Sequence, residues 1–132
     1  MKKYGKGILE QKIFLGKRED VNISVDNSIS YNKRKVLTEI DSGNVAKLLV
    51  GQYFLLNQLI KNEEKEDIEY IFLVIHYYKD YDPKRTEKNL NLLRNCIGNS
   101  AIKFKAFTQK SFIDFYNGND IEGLINKLFD DK

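Results

Sequence analysis

Cysteine and histidine are scarce in this chain of 132 residues, which has one of each. The lone Cys96 cannot form an intramolecular disulfide, and one cysteine with one histidine cannot supply the four ligands of a structural zinc site. The sequence therefore excludes a disulfide scaffold and a Cys/His zinc module, and it fits a reducing compartment.

Long apolar runs are missing as well. The longest, residues 48–56, is too short and too polar to span a bilayer. Near the N-terminus, residues 8–15 are interrupted by Glu10, Gln11 and Lys12, so they lack the hydrophobic region of a signal peptide. We therefore expect a cytoplasmic protein with no membrane partner.

Charge of one sign is not in large excess. The chain has 22 basic and 19 acidic residues and a formal net charge of +3, which permits a nucleic-acid partner without indicating one. A hydrophobic fraction of 42%, with eight Phe and eight Tyr, is enough for one packed core. We predict a single α/β domain over residues 1–132.

Two segments near the N-terminus alternate between polar and apolar residues. In residues 20–26 the apolar positions are Val21, Ile23 and Val25, and residues 35–41 alternate in the same way. This period of two predicts two half-buried strands joined as a hairpin. If the turn is centred on residues 32–33, Asp26 lies across from Glu39 and Ser24 lies across from Asp41.

The rest of the chain alternates between helical and extended patterns. Spacing, caps and apolar runs predict a helix over residues 45–61, a buried strand over 68–78, a helix from Asp82-Pro83 to 97, a strand over 102–107 and a helix over 120–129. The predicted order is (α)ββαβαβα, which is an α/β fold with a small mixed sheet and an N-terminal antiparallel hairpin.

The predicted hairpin carries three carboxylates on one surface, Asp26, Glu39 and Asp41. Burying such a group unpaired costs several kcal/mol through desolvation and like-charge repulsion. Two explanations stand. The surface is solvated, or it holds a hard cation such as Mg²⁺, which takes one or two carboxylates together with water and phosphate oxygens.

The order of a hairpin with an Asp, a Glu-x-Asp strand, a helix with Gln52 and an apolar strand resembles the PD-(D/E)XK nuclease superfamily of restriction endonucleases and junction resolvases. The resemblance covers about residues 10–78. It implies a restriction-endonuclease-like fold and a divalent-metal-dependent DNA phosphodiesterase, with Asp26 and Glu39 as ligands of Mg²⁺ or Mn²⁺. It also implies that Gln52 approaches the metal or the nucleic-acid backbone.

Asp41 is the main departure from the family pattern, because it occupies the position of the motif lysine. A carboxylate cannot supply the positive charge that stabilises a pentacovalent phosphate. Lys47, one turn into the next helix, is the candidate for a displaced ammonium, and a solvated surface lysine is the alternative. If the loss of the lysine abolishes catalysis, the resemblance implies an inactive nuclease-fold module that binds DNA or protein.

Two further acids match the family pattern less closely. Asp20 is an alternative to Asp26 as the first metal ligand, and Asp26 is preferred because a tight hairpin brings it opposite Glu39. Glu10 corresponds to an additional acid in part of the family, although a surface glutamate is the simpler interpretation.

His76, the only histidine, ends the apolar strand and is interpreted either as a satisfied core histidine or as a general base. Tyr77, Lys84 and Arg85 belong to a mixed aromatic and basic segment of the kind found on nucleic-acid surfaces, although packing explains it equally well. The apolar helix and the tyrosines make a homodimer a further expectation. An unrelated α/β ligand-binding domain is kept as a third hypothesis.

Overall fold

The fold is described from a computed structural model, for residues 13–18, 21–41, 46–63, 68–77 and 82–130. The strands are β1 (Ile13–Arg18), β2 (Val21–Val25), β3 (Asn27–Tyr31), β4 (Arg34–Asp41), β5 (Glu69–His76) and β6 (Lys103–Thr108). The helices are α1 (Ala46–Glu63), α2 (Pro83–Ile97), α3 (Gln109–Tyr116) and α4 (Ile121–Asp130).

A four-stranded mixed sheet forms the centre of the fold. Its strand order is β3-β4-β5-β6, in which β3 runs antiparallel to β4 and the remaining pairs are parallel. Strands β1 and β2 form a separate antiparallel pair. The prediction of an α/β fold with a mixed sheet and an antiparallel hairpin is confirmed at this level.

Hydrophobic side chains cover both faces of the sheet. On one face, Phe72 and Val74 of β5 pack with residues of α1 and α2, and on the other, Leu73 and Ile75 pack with α3 and α4. Full burial of such a side chain contributes about 1.5–3 kcal/mol. The uninterrupted apolar run of β5 therefore corresponds to a strand that is covered on both sides, as the sequence predicts.

The turn between β3 and β4 sets the register of the hairpin. Asn32 and Lys33 both have left-handed backbone conformations, with φ of 50° and 64°, as a two-residue turn of type I′ requires. Asn27 then pairs with Thr38, so the register predicted from a turn at residues 32–33 is confirmed.

The first strand of that hairpin was wrongly predicted. A strand over residues 20–26 was expected to pair with β4, but β2 pairs with β1 and a bend at Asp26 separates it from β3. Ser24 consequently lies opposite Phe14 and does not pair with Asp41. The alternating pattern identified a strand but did not determine its partner, because the bend redirects the chain between two pairings.

Helix α3 was not predicted either. It is eight residues long, and Thr108 caps its start: the hydroxyl of Thr108 accepts a hydrogen bond from the backbone N of Ser111, and the hydroxyl of Ser111 accepts one from the backbone N of Thr108.

Among the described helices, none combines the length and the apolar character needed to cross a bilayer.

Candidate functional site

Glu39 and Gln52 meet where the end of β4 faces α1. Alternation along β4 places Glu39 on the same face as Leu37, which packs in the core against Leu49 and Tyr53 of α1. Gln52, one residue before Tyr53, therefore reaches Glu39, and its Nε2 donates a hydrogen bond of 2.9 Å to Oε1 of Glu39. The amide therefore fixes the orientation of a half-buried carboxylate.

Asp26 lies at the level of Glu39 on the neighbouring segment. Its backbone N donates to the carbonyl oxygen of Thr38 at 2.9 Å, and its Oδ2 accepts a hydrogen bond of 2.7 Å from the backbone N of Ile40. The two partner residues, Thr38 and Ile40, are the neighbours of Glu39 in β4. The pairing of β3 with β4 begins at Asn27, and the backbone bond from Asp26 goes to Thr38, which is already the partner of Asn27, so the register shifts by one residue at the bend. Asp26 is therefore bonded to the two neighbours of Glu39 in β4, and its predicted placement directly across from Glu39 stays a prediction.

Asp41 has a different environment from the other two acids. Its side chain is 2% exposed, and its Oδ2 lies 2.9 Å from Nδ1 of His76, which is directly opposite it on β5. The other ring nitrogen of His76, Nε2, lies 2.8 Å from Oγ1 of Thr86 in the first turn of α2. Three buried polar side chains thus connect β4, β5 and α2.

The protonation state of His76 follows from its burial. Desolvation lowers the pKa of this histidine below its ordinary value, and the hydrogen bond and charge of Asp41 offset the shift only in part. The ring is therefore neutral near pH 7. In the tautomer that satisfies both contacts, Nδ1–H donates to Asp41 and Nε2 accepts from the hydroxyl of Thr86.

The predicted cluster of three carboxylates does not form. Within the described residues, no group of three or more Asp, Glu, His or Cys side chains is arranged to hold a metal ion. The structure pairs Glu39 with Gln52, and it pairs Asp41 with His76. The assignment of Asp41 to a shared site with Asp26 and Glu39 is corrected accordingly, because a buried partner on β5 engages its carboxylate.

Other predicted site residues fall partly or wholly outside the described structure. Asp20 and Glu10 are not among the described residues, and for Lys47 the backbone lies in α1 while the side chain is outside the described part. Tyr77 is 42% exposed at the end of β5, and residues 78–81 of the predicted aromatic and basic segment are not described.

Two of the carboxylates fit a divalent cation that is completed by water and phosphate. Asp26 and Glu39 are both half-buried, and Asp26 bonds to the residue on each side of Glu39, whereas the buried Asp41 is turned towards His76. Mg²⁺ commonly binds through one or two carboxylates while keeping several waters. The donor set fits such an ion and does not fit a cage of three protein carboxylates.

Thr86 is the residue that the sequence analysis missed. It lies four residues after Asp82, in a helix start that was correctly predicted, and its side chain is fully buried. The available signal was indirect. A parallel pairing of the two strands that flank α1 places His76 beside Asp41 and therefore demands a buried partner for the second ring nitrogen.

Comparison with models of protein families gives no match for this chain. Comparisons with curated proteins and with solved structures give no significant match.

Proposed function

We propose that this chain is a divalent-metal-dependent phosphodiesterase that acts on DNA, with a restriction-endonuclease-like arrangement. The observation that carries the proposal is that Asp26 bonds to Thr38 and Ile40, the two neighbours of Glu39 in β4, while Gln52 bonds to Glu39 itself. The family resemblance assigns metal binding to Asp26 and Glu39, and it implies that Gln52 approaches the metal or the nucleic-acid backbone. The half-buried setting leaves the two carboxylates less desolvated than Asp41.

Asp26 and Glu39 would hold Mg²⁺ or Mn²⁺ in this proposal. The bound ion would supply a Lewis acid at the phosphoryl oxygen and lower the pKa of a coordinated water. Gln52 restricts Glu39 to one orientation through its 2.9 Å hydrogen bond. The backbone N–H of Ile40 does the same for Asp26. Both carboxylates are thus oriented before any ligand arrives, which reduces the ordering cost of binding.

A second candidate is a nuclease-fold module that binds DNA or protein without cleaving it. The pairing of Asp41 with His76 favours this candidate, because the position of the motif lysine carries a buried carboxylate and a neutral imidazole. Neither group supplies positive charge to a phosphoryl transition state.

A metal titration followed by a cleavage assay separates the two candidates. If the phosphodiesterase proposal is correct, Mg²⁺ or Mn²⁺ raises the melting temperature of the protein, since a ligand that binds only the folded state stabilises it. Glu39→Gln and Asp26→Asn should abolish that rise and also the nicking of plasmid or branched DNA. Asp114→Asn, which changes an exposed carboxylate of α3, is the matched control.

The inactive module predicts a different set of results. The protein would bind DNA or a protein partner, its melting temperature would not respond to either metal, and no nicking would occur.

Comparison of Asp20→Asn with Asp26→Asn decides which aspartate is the metal ligand, since only one of the two changes should remove the metal response.

A further inference from the structure

Helix α2 presents an exposed face of basic and amide side chains. Thr86 and Leu90 mark its buried side. On the opposite side, polar residues recur at helical spacing (i, i+4, i+7, i+11), and Arg85 lies beside them. The exposed polar members of this outer face are Lys84, Arg85, Lys88, Asn91 and Asn95. The face also includes the exposed Leu92, and the half-buried Glu87 lies on the flank opposite Arg85.

Helix stability does not account for these cations. Lys84 and Arg85 lie in the first turn of α2, which has no acidic residue, and the positive end of a helix dipole disfavours cations there. Within the described residues, no ion pair involves Lys84, Arg85 or Lys88. The cations of this face are therefore not held in ion pairs by the described part of the chain.

The basic face begins at the same end of the sheet as the candidate site. Thr86, on the inner side of the same first turn, lies 2.8 Å from Nε2 of His76, and His76 in turn lies 2.9 Å from Asp41. Asp41 is two residues from Glu39 on β4. This buried chain of polar contacts fixes the start of the outer face of α2 at the sheet end that carries the carboxylates.

We propose that the outer face of α2 binds the phosphodiester backbone of DNA and directs it towards Asp26 and Glu39. Lys and Arg side chains supply the electrostatic part of such binding, and asparagine amides donate hydrogen bonds to phosphate oxygens. The 15 residues of α2 rise about 1.5 Å each, so the face is long enough to follow several phosphates. DNA binding by this surface does not depend on the proposed phosphodiesterase activity. Only the connection of the surface to cleavage rests on the proposed function.

Two triple variants with the same net charge test this surface. Lys84→Gln with Arg85→Gln and Lys88→Gln removes the three cations of the face. The control variant carries Lys33→Gln, Lys103→Gln and Lys110→Gln, three exposed lysines on other elements. Each set removes three positive charges, which takes the formal net charge from +3 to 0. Circular dichroism checks that both variants fold.

The measurement is the fluorescence anisotropy of a labelled DNA duplex in EDTA, repeated over a series of salt concentrations. We expect the Kd of the α2 variant to rise at least about tenfold and the control to change less than about twofold. The slope of log Kobs against log salt should also become shallower by about 2.7 in the α2 variant, since each phosphate contact contributes about 0.9.

Equal weakening in both variants, or none in either, would overturn the proposed surface. So would binding to vesicles that contain phosphatidylserine in preference to DNA. EDTA makes the test independent of catalysis. If the α2 variant loses DNA binding but the wild-type protein never nicks DNA, only the phosphodiesterase proposal fails. If nicking occurs and DNA binding is unaffected by the α2 changes, only the surface proposal fails.

Discussion

His76 and Asp41 lie directly opposite each other on the parallel strands β5 and β4, with Nδ1 of His76 2.9 Å from Oδ2 of Asp41. A backbone hydrogen bond also joins the ends of these two strands, because the N of Tyr77 donates to the carbonyl oxygen of Asp41 at 2.7 Å. The family resemblance assigns the position of Asp41 to a lysine that faces a phosphate. In this chain, a carboxylate at that position is bonded to a buried histidine instead.

Removal of the Asp41 carboxylate should destabilise the fold. Asp41→Ala leaves the Nδ1–H of His76 buried without this acceptor, which costs about 1–3 kcal/mol. Asp41→Asn should cost less, because its amide oxygen still accepts the hydrogen bond. Urea unfolding measures both free energies, with Asp114→Ala on the exposed side of α3 as the control. Unfolding free energies equal to that of the control would contradict a stabilising role for the pair.

Stability should fall as the pH drops through the titration range of histidine. The pKa of His76 is lowered in the folded protein, mainly by burial, whereas an unfolded histidine titrates near 6.5. The unfolded chain therefore binds a proton more readily, so the full stability is present above about pH 6.5 and decreases below it. One proton of difference corresponds to a slope of up to about 1.4 kcal/mol per pH unit.

His76→Gln provides the comparison for this pH dependence. The chain has one histidine, so the variant removes the whole histidine contribution. Urea unfolding between about pH 5.5 and 7.5 should show a smaller slope in His76→Gln than in the wild-type protein. Parallel slopes in the two proteins would show that the folded state does not depress the pKa of His76.

Gln52 should set the metal affinity of the proposed site. Gln52→Ala removes the hydrogen bond that orients Glu39, and loss of such an outer partner typically weakens metal binding by about 10–100-fold. The change in melting temperature over a series of Mn²⁺ concentrations gives the apparent Kd. Asn99→Ala, an exposed amide after the end of α2, should leave that Kd unchanged. An unchanged Kd in Gln52→Ala would remove Gln52 from the site.

Glycine at position 33 should stabilise the hairpin. Lys33 has a φ of 64°, and the left-handed conformation costs a residue with a side chain about 1–2 kcal/mol. Lys33→Gly relieves this cost but adds freedom to the unfolded chain, so we expect a net gain of about 0.5–1 kcal/mol in urea unfolding. Lys35→Gly, inside β4, should instead lower the stability. A loss of stability in Lys33→Gly would contradict this reasoning.

The local part of the candidate site was predictable from the sequence. Alternation defines the strand that carries Glu39, and the turn at Asn32 and Lys33 fixes its register, which pairs Asn27 with Thr38 and brings Asp26 close to this strand. Helical spacing from the end of that strand puts Gln52 on the adjacent helix. These relationships involve separations of 14 and 13 residues, so the geometry of one turn and one connection determines them.

The sequence by itself determined most of the elements of this protein, the two-sided burial of β5 and the register of the hairpin between β3 and β4. Only the tertiary structure decided that β2 pairs with β1, that Asp41 meets His76 and that Thr86 completes the buried chain. Asp41 and His76 are separated by 35 residues. Their contact depends on the crossover through α1 and on the register of parallel strands, and neither of these is determined by a local pattern of side chains.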